Sequence, residues 1–420
     1  NKEGDSILIC ETATDNDEGR LVANTINSLL SEDNFSDFAI LYRTNAQSRA
    51  LEESLRKMGI PYKIYGGLSF YQRKEIKDIL AYCRLTVNPN DEEALKRVIN
   101  YPSRGIGNTT LQKLIIAAND NQISIWEVLN QLDKYDHKIN KGSCLKLNDF
   151  TTLIKSYISQ QDNHDSYYLA EHIAKSSGVF NDLYNDKTPE GVSRFENIQE
   201  LLNGLKDFCE NTEENKLANY MQDVALLTNQ DNEKTEDFNK VTLMTVHASK
   251  GLEFPYVFIV GLEQNLFPSM MSGDSQENLE EERRLFYVAI TRAKKRLFLS
   301  HTTNRFKWGQ YIDCEPSRFL SELNEEYTQK TEVFAKKEKK YYQKKYYSNK
   351  KDTKPKNIVI PPKGFRKASL TSHKINQSDI SNIQNGMRVK HSKFGNGKIL
   401  EISGQDINKK ATIFFENIGQ

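Results

Sequence analysis

The stretch TVHASKGLEFPYVFIVG, Thr245–Gly261, is answered further on by EEERRLFYVAITRAKKRLFLS, Glu280–Ser300, and these two blocks decide the fold. Each joins a turn dense in polar and small residues to a short apolar run of buried-strand type. The first sets Thr245, His247, Lys250, Gly251 and Glu253 at what reads as a strand-to-helix junction. Backbone amides and a helix N-terminus there would receive phosphate oxygens. The second places Arg292 after Tyr287-Val288-Ala289-Ile290-Thr291. A guanidinium at that point offers the same anionic ligand a rigid fork of donors. A nucleotide or nucleic-acid machine is the expectation.

The phosphate cradle that such a machine needs does not occur in the 420 residues. No GxxxxGK[ST] supplies the loop, its Lys and its Mg²⁺-holding hydroxyl. No strand ends in an Asp-Glu pair that would hold the metal and position a water. The chain opens at Asn1 and stops within KKATIFFENIGQ. The expectation is therefore the downstream part of a longer protein, carrying groups that complete a phosphate site whose cradle lies upstream.

Working outward, residues 1–67 alternate strand and helix. Apolar runs at Ile7–Cys10 and Phe38–Tyr42 read as buried strands, GRLVANTINSLLS between them has helical spacing, and SRALEESLRKMG is a helix stopped by Gly59 and Pro61. Ile60–Tyr65 returns as a strand. Such alternation predicts an α/β fold with a parallel sheet. Residues 68–238 lose the strand signal and run through RKEIKDILAYCRLTV, DEEALKRVIN, TTLQKLIIAAN, SIWEVLNQL, SYYLAEHIAKSSG, RFENIQELLNGLKDFCE and LANYMQDVALL. They read as an all-helical insertion. Residues 239–328 resume with VTLMTV, YVFIVG and RLFLSH and rebuild the interrupted sheet. Residues 329–384 read as a basic and polar linker, and 385–420 as a small, truncated β module with period-two strands broken by Gly-Asn-Gly.

Charges nearly balance, at +1 overall, so the chain is no uniformly basic binder. Lys330–Lys356 is locally basic, with tyrosines paired at Tyr341-Tyr342 and Tyr346-Tyr347. It is either a solvated linker or a segment in sliding contact with nucleic acid. The five cysteines, Cys10, Cys83, Cys144, Cys209 and Cys314, are odd in number and scattered, with no CxxC pair or Cys/His cluster. That pattern indicates neither zinc nor a disulfide framework and fits reduced thiols in a cytoplasmic protein. No apolar run approaches a membrane span.

Arg43 and Asn45 follow the FAILY strand, where open α/β sheets present ligand loops. Arg43 is a surface ion-pair partner or, with Asn45, Gln47, Ser48 and Arg49, part of a phosphate or sugar contact. His247 sits among small polar residues at a strand end, which favours a site over a core position. Glu253 is either a helix N-terminal charge or an acceptor for ribose hydroxyls. Trp308 is a core aromatic or a base-stacking platform. Gly105-Ile106-Gly107 separates two helices, with Asn108 or Thr109 as cap of the second. It is a plain corner or a turn whose amides hold a duplex phosphate.

Taken in order, LYRTNAQSRALEE, YGGLSFYQRKEIKDILAY, PSRGIGNTTL, SRFENIQEL, TVHASKGLEF, GLEQNLFP and EEERRLFYVAITRAKKRL resemble the C-terminal part of the UvrD/PcrA/Rep-type superfamily 1A DNA helicases. The resemblance implies a 3′-to-5′ translocase and helicase that uses ATP and Mg²⁺, with the metal ligands upstream of Asn1. It implies a RecA-like motor domain (2A) interrupted by a swivelling helical domain (2B). By the same resemblance Arg292 is the catalytic arginine that reaches the γ-phosphate, and Gly251 and Glu253 belong to the nucleotide site, Glu253 at the ribose. Arg43, Asn45, Thr245, His247 and Trp308 match contacts to single-stranded DNA. Gly105, Ile106, Gly107 and Thr109 match the turn that grips duplex at a single-strand/duplex junction. Ser269 stands where PcrA-type members have His. The terminal GMRVKHSKFGNG resembles the Tudor-like module that docks on RNA polymerase, and repair proteins are the other partners implied. A non-catalytic DNA-binding or polymerase-docking module with the same fold is the alternative.

Overall fold

The computed structural model describes residues 4–30, 33–135, 138–230, 238–269, 275–307, 310–331, 388–391, 395–403 and 410–415. Strand β1 (Ile7–Thr12) leads through α1 (Asp15–Leu29) to β2 (Phe38–Tyr42), and α2 (Ser48–Lys57) leads to β3 (Tyr62–Ile64). Thr14 starts α1 by accepting the amide of Asp17, with Asp15, Asp17 and Glu18 complementing the positive helix end. Gly59, at φ +68°, takes the left-handed conformation that ends α2.

The chain then leaves the sheet for nine helices among the described residues. These are α3 (Lys74–Val87), α4 (Glu92–Val98), α5 (Asn108–Asn121), α6 (Ile125–Asn130), α7 (Lys141–Ile158), α8 (Ser166–Ser176), α9 (Val179–Asn185), α10 (Pro189–Asn211) and α11 (Leu217–Gln230). They enclose a core of their own, with Tyr82, Leu114, Phe150, Ile173, Ile198 and Leu205 at its centre. The chain returns as β4 (Val241–Thr245), which pairs with β3 in register Tyr62↔Val241.

Next come β5 (Phe254–Ile259), α12 (Gln276–Ile290), β6 (Ala293–Thr302), the hairpin β7 (Asn304–Lys307) and β8 (Gln310–Asp313), α13 (Arg318–Ser321) and β9 (Thr328–Thr331). The main sheet has seven strands, all parallel, in the order β3-β4-β2-β5-β6-β1-β9. Alternation along β2 divides the core. Phe38, Ile40 and Tyr42 pack with Val22 and Ile26 of α1 and Leu51 and Leu55 of α2, while Leu41 packs with Phe286 of α12 and Phe319 of α13. A separate unit holds β10 (Arg388–His391), β11 (Gly395–Ser403) and β12 (Lys410–Phe415) in one antiparallel sheet.

Four expectations change. EEERRLFYVAI is not a polar turn but helix α12, with Glu282, Phe286 and Ala289 on its buried face. No helix follows β4: a single turn of 3₁₀ helix at His247–Ser249 runs straight on towards β5. The sheet continues into Thr328–Thr331, where the basic linker was expected to begin, because β9 pairs with β1 through backbone groups and needs no apolar pattern. Helices α7 and α9 and the β7–β8 hairpin add to the predicted elements. Most of the linker, residues 332–384, lies outside the described residues.

Buried polar groups join the insertion to the sheet. Arg49 of α2 is fully buried and donates from Nε to Glu200 of α10 at 2.6 Å and from Nη1 to Glu53 at 3.1 Å, with Asp15 at 3.7 Å. Arg73, just before α3, bonds the Asn45 carbonyl at 2.7 Å, Asn197 Oδ1 of α10 at 2.8 Å and Ser48 Oγ at 2.9 Å. Removing one member of such a set leaves the others' charge in low dielectric. Arg49→Met is therefore expected to lower unfolding free energy by about 3–5 kcal/mol, read from the midpoint of urea denaturation.

Candidate functional site

The carboxyl ends of β2 and β4 lie side by side, with Tyr42 in register with Thr245. Beyond them the chain turns tightly. Gln47 Oε1 accepts the amides of Arg43 and Thr44 at 2.9 and 2.8 Å, and the Tyr42 carbonyl accepts the amide of Val246 at 2.9 Å. These bonds bring Arg43, Asn45, Thr245 and His247 to one edge. Thr245 Oγ1 accepts the Ala248 amide at 3.3 Å. Asn45 is exposed, its carbonyl fixed by Arg73, and His247 is exposed on the loop after β4. Arg43 meets α12: its Nε lies 3.1 and 3.0 Å from the two carboxylate oxygens of Glu282, and Nη2 lies 2.6 Å from Oε1. The same carboxylate accepts the amide of Ser269 at 3.2 Å.

A second group forms at the amino ends of β5 and β6. The Phe254 amide donates to the Arg292 carbonyl at 2.9 Å, which fixes Arg292 beside Gly251–Glu253. Arg292 donates from Nε to the Val288 carbonyl, from Nη1 to the Leu252 carbonyl, both at 2.9 Å, and from Nη2 to Thr291 Oγ1 at 3.0 Å. Glu253 is exposed, 3.5 Å from Lys294. Gly251 has φ +88° with open space where a side chain would stand, so the position suits glycine for its backbone and leaves room for a ligand. A cation, a carboxylate acceptor and an uncovered glycine fit a phosphorylated sugar in chemical type.

The two groups occupy opposite ends of the strands, and two elements span the distance. One is the run Val246–Glu253, which crosses from the carboxyl end of β4 to the amino end of β5. The other is α12, with Glu282 towards the first group and Arg292 just beyond its far end.

The Gly105-Ile106-Gly107 turn lies in the insertion between α4 and α5. Ile106 is buried, and its amide is taken by Asn100 Oδ1 at 3.0 Å. Gly105 is at φ +69°, and its carbonyl accepts Lys146 Nζ at 3.3 Å. The cap of α5 is Gly107, not Asn108 or Thr109, and it makes no side-chain bond. Thr109 is exposed in the first turn. Trp308 lies outside the described residues.

Residue type alone hid the buried partners. Glu282 is one of three consecutive glutamates, and its spacing from Phe286 and Ala289 is the signal that it points inward. Under the loop after β5, Arg305 bonds Glu263 at 2.6 Å and Glu18 at 3.3 Å, while Glu18 holds the Gly261 amide and Ser300 Oγ. Burial pushes the Glu18 carboxyl up. Burial opposes ionisation of Glu263 too, but Arg305 and Thr302 hold its carboxyl below the usual range.

Residues 1–304 match the family described as UvrD-like helicase C-terminal domain. The chain belongs to that family. Over its whole length it is similar to the ATP-dependent DNA helicase PcrA of Staphylococcus aureus strain Mu50, 36% identical over 425 residues, and to that of Staphylococcus epidermidis strain ATCC 12228, 36% identical over 424 residues. It spans 55% of the length of each of these relatives. In this UvrD-like chain the parallel sheet is the RecA-like layer, and α3–α11 are its helical insertion.

Desolvation, then the Arg43 guanidinium, holds the His247 imidazole below the ordinary histidine value, against the pull of Glu282 and Glu281. An NMR titration is expected to put its midpoint below about 6.5. Arg43→Gln removes a cation and uncovers Glu282, so the midpoint should rise.

Proposed function

We propose that this chain is the C-terminal half of an ATP-dependent 3′-to-5′ DNA helicase and translocase that works in the cytoplasm in DNA repair or replication. Membership of the UvrD-like family supports this, and one observation carries it: α12 holds a strand-end polar group at its middle, through Glu282, and a cationic nucleotide-type group just beyond its carboxyl end, at Arg292.

In this proposal Arg292 turns from its carbonyl partners to the γ-phosphate and stabilises charge in phosphoryl transfer. Glu253 accepts from the ribose, and Gly251 leaves the backbone open beside it. Arg43, Asn45, Thr245 and His247 face single-stranded DNA, with Trp308 a further stacking group. Gly105, Gly107 and Thr109 meet duplex phosphates at the junction, while Ile106, buried and with its amide already bonded to Asn100, anchors the turn and does not make the DNA contact expected of it. Phosphate contacts of this kind position the protein without reading sequence. Mg²⁺ enters with ATP on ligands outside these residues; among the described residues no group of three or more His, Cys, Asp or Glu could hold a metal. The C-terminal β module is the proposed surface for RNA polymerase, and repair proteins are further partners. No helix among the described residues is long and apolar enough to cross a membrane.

In the full-length protein, Arg292→Ala should reduce ATP turnover by about 10³-fold or more while sparing single-stranded DNA affinity in an anisotropy titration; equal loss of both would refute its assignment. The 420-residue chain alone lacks the GxxxxGK[ST] loop and is expected to show no DNA-stimulated ATP hydrolysis. Turnover from that purified chain would overturn the division of the active site.

A further inference from the structure

Glu282 is only 3% exposed, an unusual position for a carboxylate unless it is paired and fully bonded. It is both. Three contacts within 3.1 Å bind it to Arg43, and a fourth bond takes the Ser269 amide. The fork leaves Arg43 Nη1 as the guanidinium nitrogen with no bond among the described residues, so its two N–H groups remain for a ligand. Arg43 is thus aimed by an element other than its own loop.

That element is stiff. Phe286 and Ala289 bury the same face of α12 that carries Glu282, and Phe286 stacks on Phe319 at 5.4 Å. The helix therefore moves as a body. The eight residue steps of helix from Glu282 to Ile290 span about 12 Å, and Arg292 lies two residues further on. Arg292 is tied back to the last turn through Val288 and forward to the segment before β5 through Leu252. Drawing its guanidinium towards an anion breaks or drags these bonds at the end of the helix whose other part holds Arg43.

We infer that Glu282 is a positioning residue that transmits nucleotide state from the Arg292 end of α12 to the strand-contacting Arg43. This rests on the proposed function, since it needs ATP at one end and DNA at the other. A merely structural pairing would stabilise the fold but would leave DNA affinity equally sensitive to nucleotide after its removal.

The test uses the full-length protein and a fluorescent oligo-dT strand, with dissociation constants measured without nucleotide and with a non-hydrolysable ATP analogue. The ratio of the two constants is the coupling between sites. The wild-type ratio should differ from one by at least about fivefold, and Glu282→Gln should bring it close to one. Arg43→Gln should weaken strand binding, and Arg43→Gln/Glu282→Gln should leave the ratio where Arg43→Gln alone leaves it. Glu282→Asp keeps the charge but withdraws it by one methylene, and it serves if the Gln variant melts early; it too should shrink the ratio. A folded Glu282 variant with the wild-type ratio, or a wild-type ratio of one, overturns the inference. If Arg43→Gln weakens binding while Glu282→Gln keeps the ratio, the positioning role alone fails. If Arg43→Gln leaves affinity unchanged in both nucleotide states, the DNA role proposed for Arg43 fails first, and the inference with it.

Discussion

Parallel strands β4 and β5 are separated in the sheet by β2, yet only Val246–Glu253 connects them. A parallel crossover usually takes a dozen or more residues and a helix. This one must cover the roughly 20 Å length of a six-residue strand, so it has slack for a single 3₁₀ turn and nothing more. That near-taut strap fixes much else. It holds Thr245 and His247 at one end of the sheet and Gly251 and Glu253 at the other, with neither pair able to shift along the chain direction alone. It also leaves the sheet face beneath it to be covered by α12, which the apolar residues Phe286 and Ala289 do.

The strap explains why one expectation failed. A strand end followed by small polar residues ordinarily opens a helix, and TVHASKGLEF reads that way until the distance to the next parallel strand is known. The apolar runs FAILY, VTLMTV and RLFLSH were legible because burial on both faces of a parallel sheet demands continuous apolar residues. Strand β9, TQKT, carries no such mark, since an edge strand needs only its backbone groups. Helix α7 has its inward positions Leu147, Phe150, Ile154 and Tyr157 at helical spacing, but KGSC and LND interleave enough polar residues to blur the stripe.

Ionic groups were the least legible part of the site. Arg49, Arg73, Arg305, Glu18, Glu263 and Glu282 are all buried; Arg49 was expected in a phosphate or sugar contact, which its full burial against Glu200 and Glu53 rules out, and residue type gave the others no mark of burial. What puts them inside is a partner far away along the chain: Glu200 for Arg49, Asn197 for Arg73, Glu263 and Glu18 for Arg305. Neither spacing nor composition can report a pairing of that range. The family motifs carried exposed His247 and Glu253 and half-buried Arg43 and Arg292, while the pairing of Glu282 with Arg43 emerged only from packing.

The helical insertion begins after β3 and ends before β4, and these two strands are hydrogen-bonded neighbours. Because they run parallel, the insertion leaves at the carboxyl end of β3 and returns at the amino end of β4, so it serves as the crossover between them. To the sheet, the whole insertion is one long crossover connection. It can gain or lose helices, as a cassette changes its contents, without altering the register of a single strand. The sheet thus fixes only where the insertion is rooted, and its angle is left to the side chains at the root.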